Sequence, residues 1–253
     1  MPTLSTRELT IRFGGHVAVD AISADFECGT LTAIVGPNGA GKTTYFNLIS
    51  GQLAASAGRV LLDGEDLTAL PAPARSRKGL GRAFQLTNLF PGLSVIENLR
   101  LTIQARAGLG GNLWSIWSSH RALIDEAGQI LERIALSHRR DALASSLPHG
   151  DQRKLEVGML LAMRPRVFLF DEPTAGMSVD EVPVILDLIR QIRADRANTV
   201  LLVEHKMDVV RELSDRIIVL HNGQLVADGE PAEVIASPIV QQAYLGLAPE
   251  AAA

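Results

Sequence analysis

The sequence predicts an α/β fold in which an alternating strand-and-helix core is interrupted by a helical stretch. Three observations predict it. Short apolar, β-branched runs such as LTAIV (31–35), RVFLF (166–170) and TVLLV (199–203) alternate with segments of helical period. A glycine-rich turn, VGPNGAGKTT at 35–44, stands where the first of these runs gives way to helical spacing at Phe46, Ile49 and Leu53. Between about 86 and 160 the β-branched runs thin out and helical patterns take over.

Each element has its own local reason. The chain opens strand-like with LTIRF, a Gly14-Gly15 turn, VAVDAISADFE and LTAIV. After the first helix, GRVLLDGEDL reads as a short strand closed by an Asp63-Gly64 turn. Ser94 and Glu97 stand at capping-box spacing, so a helix is expected to start there. The segment 107–120, with its glycines and both tryptophans, reads as a loop or insertion on the helical part. Alternation resumes at RVFLF, followed by a capped helix around Val184, Ile185, Leu188, Ile189 and Ile192, then TVLLVEH, and a hairpin through Asn222-Gly223. The expected division is a core of residues 1–85 and 161–253 with a helical subdomain of residues 86–160 between them.

Composition narrows the function classes. At 253 residues the chain is long enough for one large α/β domain with a sizeable core. Its 47% hydrophobic and 21% charged residues are ordinary for a soluble globular protein, and its net charge of −4 argues against nucleic acid as the main partner. Cys28 is the single cysteine, which rules out an internal disulfide and suits a reducing compartment. The opening MPTLSTRELTIRF lacks the basic-then-apolar pattern of a signal peptide, and no apolar run approaches the length of a membrane span. Work at a membrane would therefore go through a partner.

The turn at 35–44 carries the first chemistry. Gly36, Gly41, Lys42 and Thr43 have the spacing of a phosphate-binding loop. Glycines let backbone N–H groups turn inward, the following helix presents its positive end, and Lys42 adds a mobile charge for terminal phosphates. Thr43 offers a hydroxyl to Mg²⁺. Pro37, Asn38, Gly39, Ala40 and Thr44 complete the candidate cradle for a nucleoside triphosphate. A second site follows RVFLF: the adjacent acids Asp171 and Glu172 stand at a strand's carboxyl end, where open α/β sheets bind ligands. Asp171 is the candidate metal-directed carboxylate and Glu172 the candidate general base for an attacking water. Taken alone, the pair also fits a solvated acidic turn.

With these residues in view, the chain resembles the ATP-binding subunits of ABC transporters over nearly its whole length. GPNGAGKTT, GRAFQ, LPHGDQRKLEVGMLLA, LFDEPTAGM and LVEH occur in that family's order and separations. The resemblance implies a P-loop NTPase fold of the ABC type: a RecA-like core, a small antiparallel β-subdomain and a helical subdomain. It also implies a head-to-tail dimer that binds ATP and Mg²⁺ at the shared interface.

Phe13 matches the aromatic that stacks on adenine, Gln85 the glutamine linking Mg²⁺ to the transmembrane partner, and His205 the histidine that holds the γ-phosphate and orients Glu172. On residue type alone Phe13 also fits a core-facing strand position, Gln85 a surface helix cap and His205 a structural strand-end histidine. The family's Leu-Ser-Gly-Gly-Gln signature is here Leu147, Pro148, His149, Gly150 and Asp151. Pro148 brings neither a hydroxyl nor a backbone N–H, so Gly150 at a helix N-terminus is left as the phosphate donor, with the role of His149 open.

The variant signature, RFGGHVAVDAIS, DEPTAGM and the ending ASPIVQQAYLG resemble the branch serving branched-chain amino acid importers and their relatives for urea, amides and small acids. What that branch implies is an ATPase on the cytoplasmic face of the inner membrane. Its expected partners are two transmembrane permease subunits, a second ATP-binding subunit and, indirectly, a periplasmic binding protein. A DNA-repair, chromosome or ribosome-associated ABC ATPase would be expected to show a coiled-coil insert, cysteine clusters or tandem halves. A P-loop kinase would account for the loop alone.

Overall fold

The structure, a computed structural model, describes residues 3–83, 89–109, 121–238 and 240. Its framework is two sheets. The smaller is antiparallel: β1 (Leu4–Phe13) lies between β2 (His16–Phe26) and β4 (Ala57–Leu62), with the two-residue β5 (Glu65–Asp66) at the edge. The larger runs β10-β9-β3-β8-β7-β6, from β3 (Leu31–Val35), β6 (Leu80–Ala83), β7 (Val167–Asp171), β8 (Thr199–Val203), β9 (Arg216–His221) and β10 (Gln224–Gly229). All its neighbouring strands pair in parallel except the β9/β10 hairpin.

Every residue of β3, β7 and β8 is buried, the pattern of strands covered on both faces. Alternate residues therefore feed two different cores. Phe168, Phe170, Val200 and Leu202 face a helical layer, whereas Val167, Leu169, Leu201 and Val203 face the small sheet.

Between the two sheets lies α1 (Lys42–Ser50), which buries Tyr45, Phe46, Leu48 and Ile49 there. The hydroxyls of Tyr45 and Thr6 meet at 2.7 Å, tying the helix to β1. The opposite layer contains α3 (Val95–Arg106), α4 (Arg121–Arg133), α5 (His149–Met163) and α6 (Val182–Ala194), and their apolar faces join one core with the underside of the large sheet. Gly158 permits close packing of α5, since a Cβ there would lie 2.7 Å from Cδ1 of Ile134. Among the described residues no helix is long and apolar enough to cross a membrane.

Both expected hairpin turns form, with Asp63 and Gly64 at φ 49° and 82°, and Asn222 and Gly223 at φ 48° and 77°. Such paired left-handed residues match the twist of the flanking strands. Other expectations need correction. Leu53 lies beyond α1, because Gly51 in a left-handed conformation (φ 78°) closes the helix. A helix does start at Ser94 as expected, with Ser94 its N-cap, but the capping box is only half formed: Ser94 Oγ accepts from the Glu97 amide at 3.4 Å, while the Glu97 carboxylate turns to Arg100, the nearby cation one turn on.

Glu181, the N-cap of α6, makes no capping bond; its carboxylate instead accepts from the amide and hydroxyl of Ser178. Helix α5 runs through the 160/161 boundary expected from sequence. The tryptophan-bearing part of 107–120 and the Pro/Ala tail at 248–253 lie outside the described residues.

The far end of α1 is fastened by an unusual cap. On α2 (Ala72–Arg77), Arg75 is 2% exposed, and its guanidinium donates to the carbonyls of Leu48 and Ile49 at 2.7 Å and of Thr68 and Leu70 at 2.8 Å. Two of these are last-turn carbonyls of α1, where a helix runs out of its own donors; that of Leu48 also accepts from the Gly51 amide at 3.3 Å. Arg75→Met fills similar space but removes a donor from four carbonyls, of which, among the described residues, only that of Leu48 keeps another, the Gly51 amide, and is expected to cost roughly 3 kcal/mol. In thermal denaturation this is a fall of roughly 10 °C in Tm.

Candidate active site

The turn from β3 into α1 is shaped by backbone contacts too close for side chains. A Cβ on Gly36 would lie 2.2 Å from the Leu220 carbonyl oxygen, and one on Gly41 2.5 Å from that of Ala18. The loop closes on itself through the Ala40 amide to Pro37 carbonyl bond (3.1 Å) and is held from outside by the Gly223 amide donating to Ala40 (3.1 Å). Asn38 and Gly39 form its exposed crest, Thr43 is exposed and Thr44 half-buried. No side chain caps α1 at Gly41, so its first-turn N–H groups point out of the helix toward the loop's concavity.

Lys42 is 7% exposed, and its ammonium donates to the carbonyls of Gly36 (2.6 Å) and Pro37 (3.0 Å). Burial pulls its pKa below the usual lysine value, and the opposing charges of Glu172 and Asp171 pull it back up. Both carboxylates therefore act on the loop's lysine.

Asp171 is the last residue of β7 and is 8% exposed, less open than a carboxylate facing a crevice was expected to be. The reason is Arg82 on the neighbouring β6, whose Nη2 donates to Asp171 Oδ2 at 2.6 Å. Nη1 of the same guanidinium reaches Asn47 Oδ1 and Ser50 Oγ on α1 at 2.8 Å each, and the group stacks over the Phe46 ring. A buried carboxylate needs such a counter-charge. Sequence reasoning passed over Arg82; the signal was an arginine inside the otherwise small and apolar strand LGRA.

Glu172 follows with φ 50°, left-handed for a side-chain-bearing residue, and its amide donates to the Val203 carbonyl at 2.9 Å. Such backbone costs about 1 kcal/mol or more and gathers at functional sites. The turn thus holds to β8 while the Glu172 side chain leaves the line of the strand.

His205 is 53% exposed, two residues beyond β8. Its Nδ1 lies 3.6 Å from Oε2 of Glu204, a fully buried carboxylate that sequence reasoning also missed. Strands β3, β8 and β7 are adjacent and parallel, so the glycine loop, His205 and the Asp171-Glu172 pair stand at the same carboxyl-terminal edge. Phe13 ends β1 with 49% of its surface exposed, which removes the core-facing reading. Gln85 lies outside the described residues.

In the signature segment Leu147 is buried, Pro148 is the N-cap of α5 and His149 its exposed first residue. Gly150 is covered by a neighbour: a Cβ there would meet Glu181 Oε1 at 1.9 Å. Asp151 turns to its own helix, accepting from Lys154 at 2.8 Å. Gly150 thus stands beside a carboxylate that leaves no room for a side chain there. Among the described residues no cluster of three or more His, Cys, Asp or Glu side chains could hold a metal ion alone.

Comparison with known proteins identifies the family. The family described as ABC transporter matches residues 19–175. The chain is 38% identical over 250 residues to the high-affinity branched-chain amino acid transport ATP-binding protein LivG of Escherichia coli K12, covering 97% of this chain and 98% of LivG. It is 37% identical to BraF of Pseudomonas aeruginosa, of the same description, again over 97% and 98% of the two chains. The lipopolysaccharide export system ATP-binding protein LptB of Escherichia coli K12 is similar at 32%, with the same coverage. In structure, the chain is similar to the ADP conformation of MJ1267, an ATP-binding cassette of an ABC transporter, with a TM-score of 0.83 and 30% identity over 98% of this chain and 100% of that one. A family match spanning more than half of the sequence, and relatives aligned almost from end to end, establish that the chain belongs to the ABC transporter family.

Proposed function

We propose that the chain is the ATP-hydrolysing subunit of an importer for branched-chain or other hydrophobic amino acids. The observation that carries the chemistry is the convergence of the glycine loop, the Asp171-Glu172 pair and His205 at the ends of three adjacent parallel strands. The choice of cargo rests on the likeness to LivG and BraF, which exceeds the likeness to LptB.

In this reading the loop from Gly36 to Thr44 cradles the phosphates of ATP with backbone N–H groups, and Lys42 swings from its own loop carbonyls to the β and γ phosphates. The donor set suits a hard cation that keeps most of its water. Thr43 offers one exposed hydroxyl and Asp171 the carboxylate oxygen left beside the Arg82 contact, too few ligands for an all-protein cage and enough for Mg²⁺ shared with phosphates. When bound, Mg²⁺ would neutralise charge on the terminal phosphates. Glu172 takes the proton of the attacking water, His205 orients the γ-phosphate and the water, and Phe13 stacks on adenine. Leu147, His149, Gly150 and Asp151 serve the nucleotide of a second ATP-binding subunit arranged head to tail, and Gln85 links the metal to a permease. The proposed assembly has two permease subunits, works with an external binding protein and sits on the cytoplasmic face of the inner membrane. It has no nucleic-acid partner.

Glu172→Gln keeps the shape of the side chain and removes the proton acceptor. Turnover should fall by roughly 10² to 10⁴ while Mg-ATP affinity by calorimetry is retained; parental hydrolysis would remove Glu172 from the role of base. Lys42→Ala deletes a charged contact to phosphate, and calorimetry with Mg-ATP is expected to show roughly 10- to 100-fold weaker binding. An unchanged affinity would mean that nucleotide binds elsewhere. Phe13→Ala should cost about 1 kcal/mol for ADP and ATP alike, because stacking involves only the base. A loss confined to ATP contradicts the stacking role.

A further inference from the structure

We infer that Glu204 is a positioning residue for hydrolysis, its buried carboxylate fixing the turn that carries Glu172 against the turn that carries His205. This rests on the reading of Glu172 and His205 proposed above.

The strand ladder stops just short of the chemistry. Pairing of β7 with β8 ends at Asp171 opposite Val203, and the Glu172 amide to Val203 carbonyl bond (2.9 Å) extends it by one step. Beyond that point the ladder no longer sets how the two chains lie. Glu204 occupies that place with no exposed surface, although the next residue, His205, is 53% exposed. Its two oxygens serve two segments. Oε1 accepts the hydroxyl of Thr174, two residues past Glu172, and Oε2 accepts the amides of His205 (2.8 Å) and Lys206 (3.1 Å).

The charge of this side chain carries the argument further. Among the described residues no lysine or arginine pairs with Glu204, and the imidazole of His205 at 3.6 Å is its one basic neighbour. Burying a carboxylate without a cation is costly, and a neutral acceptor would satisfy the two amides with less desolvation. What the carboxylate adds is a second acceptor of equal strength, so that three donors from two turns converge on one rigid planar group. That geometry holds the base and the histidine in register, the setting in which small misplacements cost rate rather than affinity.

The test compares Glu204→Gln, Thr174→Val and Thr174→Ser in the full chain with the parent and with Glu172→Gln. It reads ATP affinity by calorimetry, single-turnover hydrolysis, Tm, and the amide signals of His205 and Lys206 by NMR. Glu204→Gln should bind Mg-ATP within about twofold of the parent and hydrolyse it roughly 10- to 100-fold more slowly, with both amide signals moved upfield. Thr174→Val should slow hydrolysis in the same way, and Thr174→Ser, which keeps the hydroxyl, should restore it. Parental rates in Glu204→Gln and Thr174→Val, with Glu172→Gln inert, overturn this inference alone. Loss of ATP binding and of Tm in step with the rate also overturns it, since Glu204 would then serve folding only. Parental hydrolysis by Glu172→Gln overturns the reading of the base and this inference with it.

Discussion

At one seam the two sheets meet backbone to backbone, and the glycine loop lies in it. Gly36 faces the Leu220 carbonyl of β9, Gly41 faces the Ala18 carbonyl of β2, and the Asp20 amide of β2 donates to Gly223 at 2.8 Å. Any side chain at Gly36 or Gly41 would push a strand away. The loop is thus held from both sheets at once, with its N–H groups directed before any ligand arrives, and that preorganisation is what a phosphate site requires. The remaining parts follow from the seam: Phe13 belongs to the small sheet, Asp171, Glu172 and His205 to the edge of the large one, and α1 runs back between them.

This arrangement also gives α1 a mechanical role. It is fastened to the small sheet through Tyr45 and Thr6, to β6 and β7 through Arg82, and at its far end by Arg75. A load applied to the loop by a ligand therefore reaches both sheets through fixed hydrogen bonds. The helical layer of α3, α4 and α5 shares its core with the opposite face of the same strands, so Asp171 stands at the end of a strand packed on both sides.

Much of this was legible in the sequence because it obeys local rules. Two-residue turns with Asp-Gly and Asn-Gly announce their hairpins, and continuous apolar runs announce strands covered on both faces. The glycine spacing announces the loop because sterics leave no other residue at Gly36 and Gly41. Arg82 and Glu204 were not legible in the same way. Their partners are 89 and 30 residues distant in the chain, Asp171 and Thr174, and no local period encodes such a pair. The clue was negative, a charge inside an apolar strand for Arg82 and directly after one for Glu204, and it says only that a partner exists. The cover over Gly150 was hidden for the same reason, since Glu181 reads locally as a helix-start acid and acts across elements.

Charge balance in the proposed site favours a nucleotide that would bring its own cation. Two cations, Lys42 and Arg82, and two carboxylates, Asp171 and Glu172, lie close enough to influence one another, and Lys42, Arg82 and Asp171 are all largely buried. Before ligand binds, these four side chains balance one another, with Asp171 already committed to Arg82. A triphosphate adds several negative charges beside two carboxylates, in surroundings of reduced dielectric where like charges are felt strongly. Lys42 can turn to the phosphates, but Arg82 is held by Asn47, Ser50 and Asp171 and cannot follow without exposing that carboxylate to an uncompensated field. One mobile cation does not offset that load. In the proposed reading such a site would take a metal-complexed triphosphate in preference to the bare anion, with the oxygens of Thr43 and Asp171 as the proposed metal contacts and the Arg82 pair keeping Asp171 in place.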